Sequence, residues 1–190
     1  MSNDFEAVVI GASAGALDAL SNILPALPRG YPLPVIIVVH LPPDKKSILA
    51  ELMRTKCSMN VHEAEDKDAI EPGTIYFAPP DYHLLIEDKK NFALSSDEPD
   101  LFSRPSINIL FESAAHVFGS KLFGIILTGA NEDGARGLRA IVAAGGNAII
   151  QQPEQAHAAT MPLAAQMACP TSKTLSLDEI GLYLRQIGKT

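Results

Sequence analysis

The segment Phe5-Glu-Ala-Val-Val-Ile-Gly-Ala-Ser-Ala-Gly-Ala-Leu-Asp-Ala-Leu20 most constrains the fold of this chain. Glu6 to Ile10 is short and rich in β-branched residues, which suits an interior strand of a parallel sheet. Gly11 to Gly15 carries almost no side-chain bulk. Ala16 to Leu20 then favours a helix, with Leu17 and Leu20 expected on one face. A strand-to-helix turn of this kind lies at the carboxyl edge of an open α/β sheet, where ligands bind. One hydroxyl, Ser13, stands in the turn. Unpaired N–H groups at a helix start can stabilise an oxyanion formed when such a hydroxyl attacks a carbonyl. Gly11 to Gly15 also fits Gly-x-Ser-x-Gly, a pattern of serine hydrolases. The structural alternative is that Ser13 caps the helix and the glycines only permit a tight turn.

Two nucleotide-binding readings fail on the residues. A dinucleotide turn wants Gly-x-Gly-x-x-Gly, but Gly11, Ser13 and Ala16 occupy those places, and no suitable acid follows about 20 residues on. A Gly-x-x-x-x-Gly-Lys-Ser/Thr phosphate loop is absent, because Tyr183 stands where Gly188-Lys189-Thr190 would need its leading glycine.

Other strands follow. Val35 to His40 is a continuous apolar run ended by His40 and stopped by Leu41-Pro42-Pro43. A helix between two parallel strands makes a right-handed unit with both carboxyl ends on one edge, so His40 is expected near Ser13. A buried imidazole satisfied by backbone is the alternative for His40. Asp44 to Cys57 is expected to be helical, capped by Asp44, with Ile48, Leu49, Leu52 and Met53 on the buried face. Thr74 to Pro80 is expected to be a strand entering a loop. His83–Glu87 and Asn91–Ser95 read as an antiparallel hairpin around Asp88-Lys89-Lys90. Ser106 is a plausible cap of a helix through Ile107, Leu110, Phe111 and Ala114. Lys121 to Thr128 is another interior strand, running into Thr128-Gly-Ala-Asn-Glu-Asp-Gly134 and a helix over 135–144. Asp133 therefore sits at the same kind of edge as Ser13 and His40. As a helix cap it needs no catalytic role, and Asn131 and Glu132 compete for the same place. Asn147 to Gln151 reads as the last short strand, followed by helices opening at Thr160-Met161-Pro162 and over 175–185.

With 190 residues, 47% of them hydrophobic, the chain is long enough for one sizeable core and is not disordered. Its formal net charge of -7 argues against nonspecific nucleic-acid binding and against an anionic membrane surface. Its apolar runs fall short of a membrane span. Two unrelated cysteines and the lack of a secretory signal lead us to expect a cytoplasmic protein with structural thiols. The acidic stretch Glu63, Glu65, Asp66, Asp68 and Glu71, with His62, reads as solvated surface; no metal and no cofactor are expected.

Ser13, His40 and Asp133 together satisfy the logic of a nucleophile, an imidazole base and an orienting carboxylate. Their order differs from that of α/β-hydrolases, in which the acid precedes the histidine. The chain resembles the catalytic domain of the CheB-type chemotaxis protein-glutamate methylesterases. Ile10-Gly-Ala-Ser-Ala-Gly15, Val38-Val-His-Leu-Pro42, Pro72 to Pro80, Ser103 to Phe111, Leu127 to Gly134 and Thr160-Met-Pro162 carry the resemblance, across nearly the whole chain.

The resemblance implies a doubly wound, mostly parallel α/β sheet with an antiparallel hairpin at one edge, and one catalytic domain over 1–190. It implies hydrolysis of methyl esters on glutamate side chains of receptor signalling helices, with glutamine deamidation in some members. Ser13 corresponds to the nucleophile, His40 to the base and Asp133 to the acid. N–H groups near Ala14 and Ala130 are candidate oxyanion donors, and Arg104 is a candidate substrate-positioning residue. An Asp133→Asn change is expected to keep the fold and lose activity. The usual Ser-Thr-Gly-Gly is Ser-Ala-Gly-Ala here, and the usual Thr-Gly-Met-Gly is Thr-Gly-Ala-Asn. With four residues before the first strand, no receiver domain is expected, so activity would be constitutive or gated by a separate regulatory partner, alongside a methyltransferase. Alternatives are a same-fold esterase or amidase on another substrate, and a weakly catalytic binding module.

Overall fold

The computed structural model describes residues 4–40 and 48–188. Its strands are β1 (Ala7–Ala12), β2 (Val35–Val39), β3 (Asn60–Glu63), β4 (Thr74–Phe77), β5 (His83–Ile86), β6 (Phe92–Ser95), β7 (Leu122–Ile126), β8 (Asn147–Gln151) and β9 (Lys173–Leu175). Its helices are α1 (Ala16–Ile23), α2 (Ile48–Lys56), α3 (Ile107–Phe118), α4 (Ala135–Ala143), α5 (Thr160–Ala168) and α6 (Leu177–Ile187). Seven strands form one sheet in the order β3-β4-β2-β1-β7-β8-β9. Every ladder in it is parallel.

β1, β2 and β7 are buried along their whole length because both sheet faces are covered. Side chains alternate between the two faces with the period of a strand. Val8 and Ile10 enter a core with Leu20, Ile23, Met53, Ile180 and Leu184. Ala7 and Val9 enter a second core with Ile107, Phe111, Leu138, Ile141 and Met161. Helices α1, α2 and α6 thus cover one face, and α3, α4 and α5 the other. The hairpin β5-β6 is present, with His83 opposite Ser95. It forms a two-stranded sheet of its own and does not extend the main one. Leu84, Ile86 and Phe92 fix it by packing into the second core.

Several local expectations shift. Leu17 is 42% exposed, whereas Ala16, Ala19, Leu20 and Ile23 make the buried face of α1. Ile48 is 65% exposed, and Leu49, Ala50 and Met53 are the residues α2 buries. The expected cap Asp44 lies outside the described residues. β8 is not the last strand, because β9 adds to its far side. The terminal helix α6 is held by a capping box between Ser176 and Glu179.

The chain leaves β1 toward β2 on one side and returns as β7 on the other. The carboxyl ends of β1, β2 and β7 therefore surround the point where strand order reverses. The turns after these strands carry Ser13, His40 and Asp133.

Candidate active site

The β1 turn is built before any catalytic question arises. Gly15, at φ +83°, caps α1 without side-chain help, so Ser13 is not the cap of this helix. A Cβ on Gly15 would lie 2.5 Å from that of His157. The turn is tied to the β7 end at two points. The Ser13 N–H donates to the Thr128 carbonyl at 2.9 Å, and the Thr128 hydroxyl donates to the Ala14 carbonyl at 2.8 Å. Buried Gln151 accepts the Thr128 N–H at 2.8 Å. The Ser13 side chain is half-buried, and its hydroxyl makes no hydrogen bond among the described residues. No backbone hydrogen bond engages the N–H of Ala14 or Ala130 among them either.

His40 follows β2 directly. Its N–H donates to the Ala12 carbonyl at 3.2 Å, continuing the β1–β2 ladder in which Ala12 faces Val39. This register sets His40 beside Ser13 at the sheet edge. Its Nε2 lies 2.8 Å from Asp133 Oδ2.

Asp133 is fully buried. The sequence left open a capping role on its own helix, but α4 is capped by Gly134. Asp133 caps a different helix. The Ile107 N–H donates to Oδ2 at 2.7 Å, the Asn108 N–H to Oδ1 at 2.9 Å, and the Ser106 hydroxyl to Oδ1 at 3.1 Å. These groups open α3, whose macrodipole favours an anion at this end. With the imidazole, the carboxylate accepts four hydrogen bonds and has no proton to give. The neutral imidazole must therefore carry its proton on Nε2, leaving the Nδ1 lone pair available. In the familiar Ser-His-Asp template the acid holds Nδ1 instead.

Close approach makes this arrangement possible. Gly134 sits at φ +97°, and a Cβ there would lie 2.5 Å from Ile126 and 2.8 Å from Ile107. The Asn108 side chain accepts the N–H groups of Gly134 and Gly137 at 3.0 and 2.8 Å. Loop and helix are thus locked together around the carboxylate. Behind them, Asp100 accepts from the Asn108 amide and pairs with Arg136, and its Oδ2 lies 3.0 Å from the Ser106 hydroxyl, whose single proton it shares with Asp133. Burial pushes the Asp100 carboxyl up, but bonds from Asn108 and Ser106 and the Arg136 guanidinium outweigh it and hold the group below its ordinary range. Fully buried His83 accepts the Ser106 N–H at Nδ1, and its Nε2 meets the Glu98 carbonyl.

Arg104 is tied to the loop that precedes it. Its Nη1 donates to the carbonyls of Ser96 and Asp97 at 2.9 and 3.1 Å. Its buried Nε has no partner among the described residues. Asn131 enters unforeseen. Its Oδ1 accepts the Asp133 N–H at 3.2 Å, and its Nδ2 lies 3.4 Å from His40 Nδ1. From the sequence it is a rival to Asp133 for the helix start and a departure from the usual Thr-Gly-Met-Gly, with no role toward His40. Ser106 was legible as a cap, but its hydroxyl bond to the acid was not. No group of three His, Cys, Asp or Glu side chains among the described residues could hold a metal ion. Cys57 and Cys169 are free thiols that burial pushes above the usual range.

With this geometry in view, the comparisons converge. The sequence matches the CheB methylesterase family over residues 8–184. The chain belongs to this family. A Leptospira interrogans protein is 45% identical over 183 residues, which cover 96% of this chain and 95% of that protein. The protein-glutamate methylesterase/protein-glutamine glutaminase of Azospirillum brasilense is 36% identical over 95% of this chain. This chain spans 47% of the Azospirillum protein's length. Among solved structures, the CheB methylesterase catalytic domain of Thermotoga maritima superposes with a TM-score of 0.92 at 31% identity. That match covers 96% of this chain and 98% of the Thermotoga chain. The doubly wound, mainly parallel sheet is thus the CheB catalytic-domain fold. Among the described residues, no helix is long and apolar enough to cross a membrane.

Proposed function

We propose that this CheB-family chain is a protein-glutamate methylesterase, a serine hydrolase acting on methyl esters of glutamate side chains in chemoreceptor-type signalling proteins. Family membership and the names of its relatives support the reaction. The observation that carries the residue assignment is the 2.8 Å bond between His40 and a fully buried carboxylate, with Ser13 beside His40 in strand register.

Ser13 Oγ attacks the ester carbonyl while His40 Nδ1 takes its proton. Asp133 stabilises the imidazolium through Nε2–H without accepting a proton. The N–H groups of Ala14 and Ala130, without backbone partners among the described residues, are the candidate oxyanion donors. Nδ1–H then returns its proton to the departing methoxide, releasing methanol and leaving a glutamyl ester on Ser13. Water, deprotonated by the same nitrogen, resolves that ester to the carboxylate and restores Ser13. A glutaminyl amide follows the same path with ammonia as leaving group, in keeping with the double name of the Azospirillum relative. Arg104 supports the loop before α3 and is assigned no contact with the reacting atoms.

Fluorophosphonate labelling and methanol release from methylated receptor fragments test the assignment. Ser13→Ala is expected to abolish labelling and to lower turnover by roughly 10⁴. Its folding free energy should change by less than about 0.5 kcal/mol, as for a side chain without hydrogen-bond partners. Full turnover in Ser13→Ala would overturn the nucleophile. Strong labelling with methanol release at background would instead point to another ester or amide.

A further inference from the structure

We propose that Asn131 is a positioning residue for the base, whose amide holds His40 unprotonated at Nδ1 in the resting site. This rests on His40 being the base. The amide orientation is determined by its other end. Asn131 Oδ1 accepts the Asp133 N–H at 3.2 Å, and a flipped amide would set two donors face to face. Nδ2 must therefore point at His40, 3.4 Å from Nδ1.

The imidazole is constrained as strictly from the opposite side. Its Nε2 meets Asp133 Oδ2 at 2.8 Å, and that oxygen already accepts the Ile107 N–H. The ring cannot turn over without losing this bond to a buried anion. A donor thus faces Nδ1, and the lone pair faces the donor. Once Nδ1 is protonated, the same amide presents N–H to N–H.

Asp133 and Asn131 therefore act on the base in opposite senses. Among the described residues, Asp133 is the charged side chain bonded to the imidazole, and it favours the imidazolium. On the β1 side, the neighbours in register are the uncharged Ala12 and Ser13. Asn131 favours the neutral ring. Its amide extends the working range of the site toward lower pH by opposing protonation before substrate arrives. During turnover it must yield as Nδ1 takes the Ser13 proton. The long contact, 3.4 Å, suits a partner that has to let go.

Two substitutions separate this role from loop support. Asn131→Asp keeps an acceptor for the Asp133 N–H but turns a carboxylate toward Nδ1. Asn131→Ala removes both contacts. The acid limb of kcat/KM for methyl-ester hydrolysis is expected to move up by about 0.5 pH unit in Asn131→Ala. In Asn131→Asp it is expected to move by more than one unit, because a second carboxylate now favours the imidazolium. Imidazole ¹⁵N chemical shifts of His40, followed through a pH titration without substrate, should move in the same order. Loop support alone predicts the reverse, with Asn131→Asp close to the native protein and Asn131→Ala impaired at every pH; that result overturns the inference. His40→Gln, measured beside them, tests the underlying assignment. Retained turnover there removes the base itself, whereas lost turnover with an Asn131→Asp profile superimposed on the native one removes only the role of Asn131.

Discussion

Replacing Asp133 by Asn tests how far the acid and the fold depend on one carboxylate. The side chain is fully buried, with Ile107 N–H and His40 Nε2 on Oδ2, and Asn108 N–H and the Ser106 hydroxyl on Oδ1. An amide offers one acceptor oxygen and one donor. With NH₂ at the Oδ1 place, the Ser106 hydroxyl can turn to accept, but the Asn108 N–H is left facing a donor. With NH₂ at the Oδ2 place, His40 can accept only by moving its proton to Nδ1, which ends its use as a base, and the Ile107 N–H is orphaned. Either choice strands one buried backbone N–H, at about 1–3 kcal/mol. Losing the anion from the start of α3 adds roughly 0.3–2 kcal/mol. The expected destabilisation is about 1–5 kcal/mol, out of the roughly 5–15 kcal/mol typical of a domain. The sequence alone led us to expect an intact fold with lost activity. The structure adds a measurable loss of stability. Urea unfolding at pH 7 should show a lower midpoint at unchanged slope, and methanol release should fall by roughly 10⁴. A midpoint equivalent to less than about 0.5 kcal/mol of change would refute the placement of the carboxylate at the α3 terminus. Near-native turnover would refute its role toward His40.

Two further outcomes follow from the surrounding network. The Asp100 carboxyl is held below its ordinary range, so its stabilising effect is complete above the unfolded carboxylate value near pH ~3.9 and is lost as pH falls through the lower folded value. Asp100→Ala should therefore cost about 1–2 kcal/mol at pH 7, since the Asn108 amide and the Arg136 guanidinium lose an acceptor. The gap between variant and native unfolding midpoints should close as the pH is lowered toward 2; a gap independent of pH would contradict the charged pairing. Gly15→Ala forces a left-handed backbone on a Cβ that meets His157 at 2.5 Å, with an expected cost of about 2–4 kcal/mol in thermal or urea unfolding. A neutral result would show that the turn is looser than this packing allows.

Strand identity and order of function along the chain were legible because they rest on local pattern. β1, β2 and β7 are unbroken apolar runs, and such runs are stable only inside a sheet covered on both faces. Their carboxyl ends then have to share an edge, which brings the Ser13, His40 and Asp133 segments together. Faces of short helices were less legible. Leu17 and Ile48 fit an apolar stripe, but the sheet's twist and the neighbouring helices choose which stripe is covered.

What the sequence alone determined was the set of chemical parts and the edge on which they lie, because both follow from residue type and from a two-residue or 3.6-residue period. Only the tertiary structure decided whose helix Asp133 caps, which imidazole nitrogen keeps its proton and what faces the other one. Those answers depend on hydrogen bonds between residues 25, 26 and 93 positions apart. No local propensity encodes such partners; they exist because Gly134 lets the loop before α4 approach the start of α3 closely enough for a buried anion to take every donor it meets.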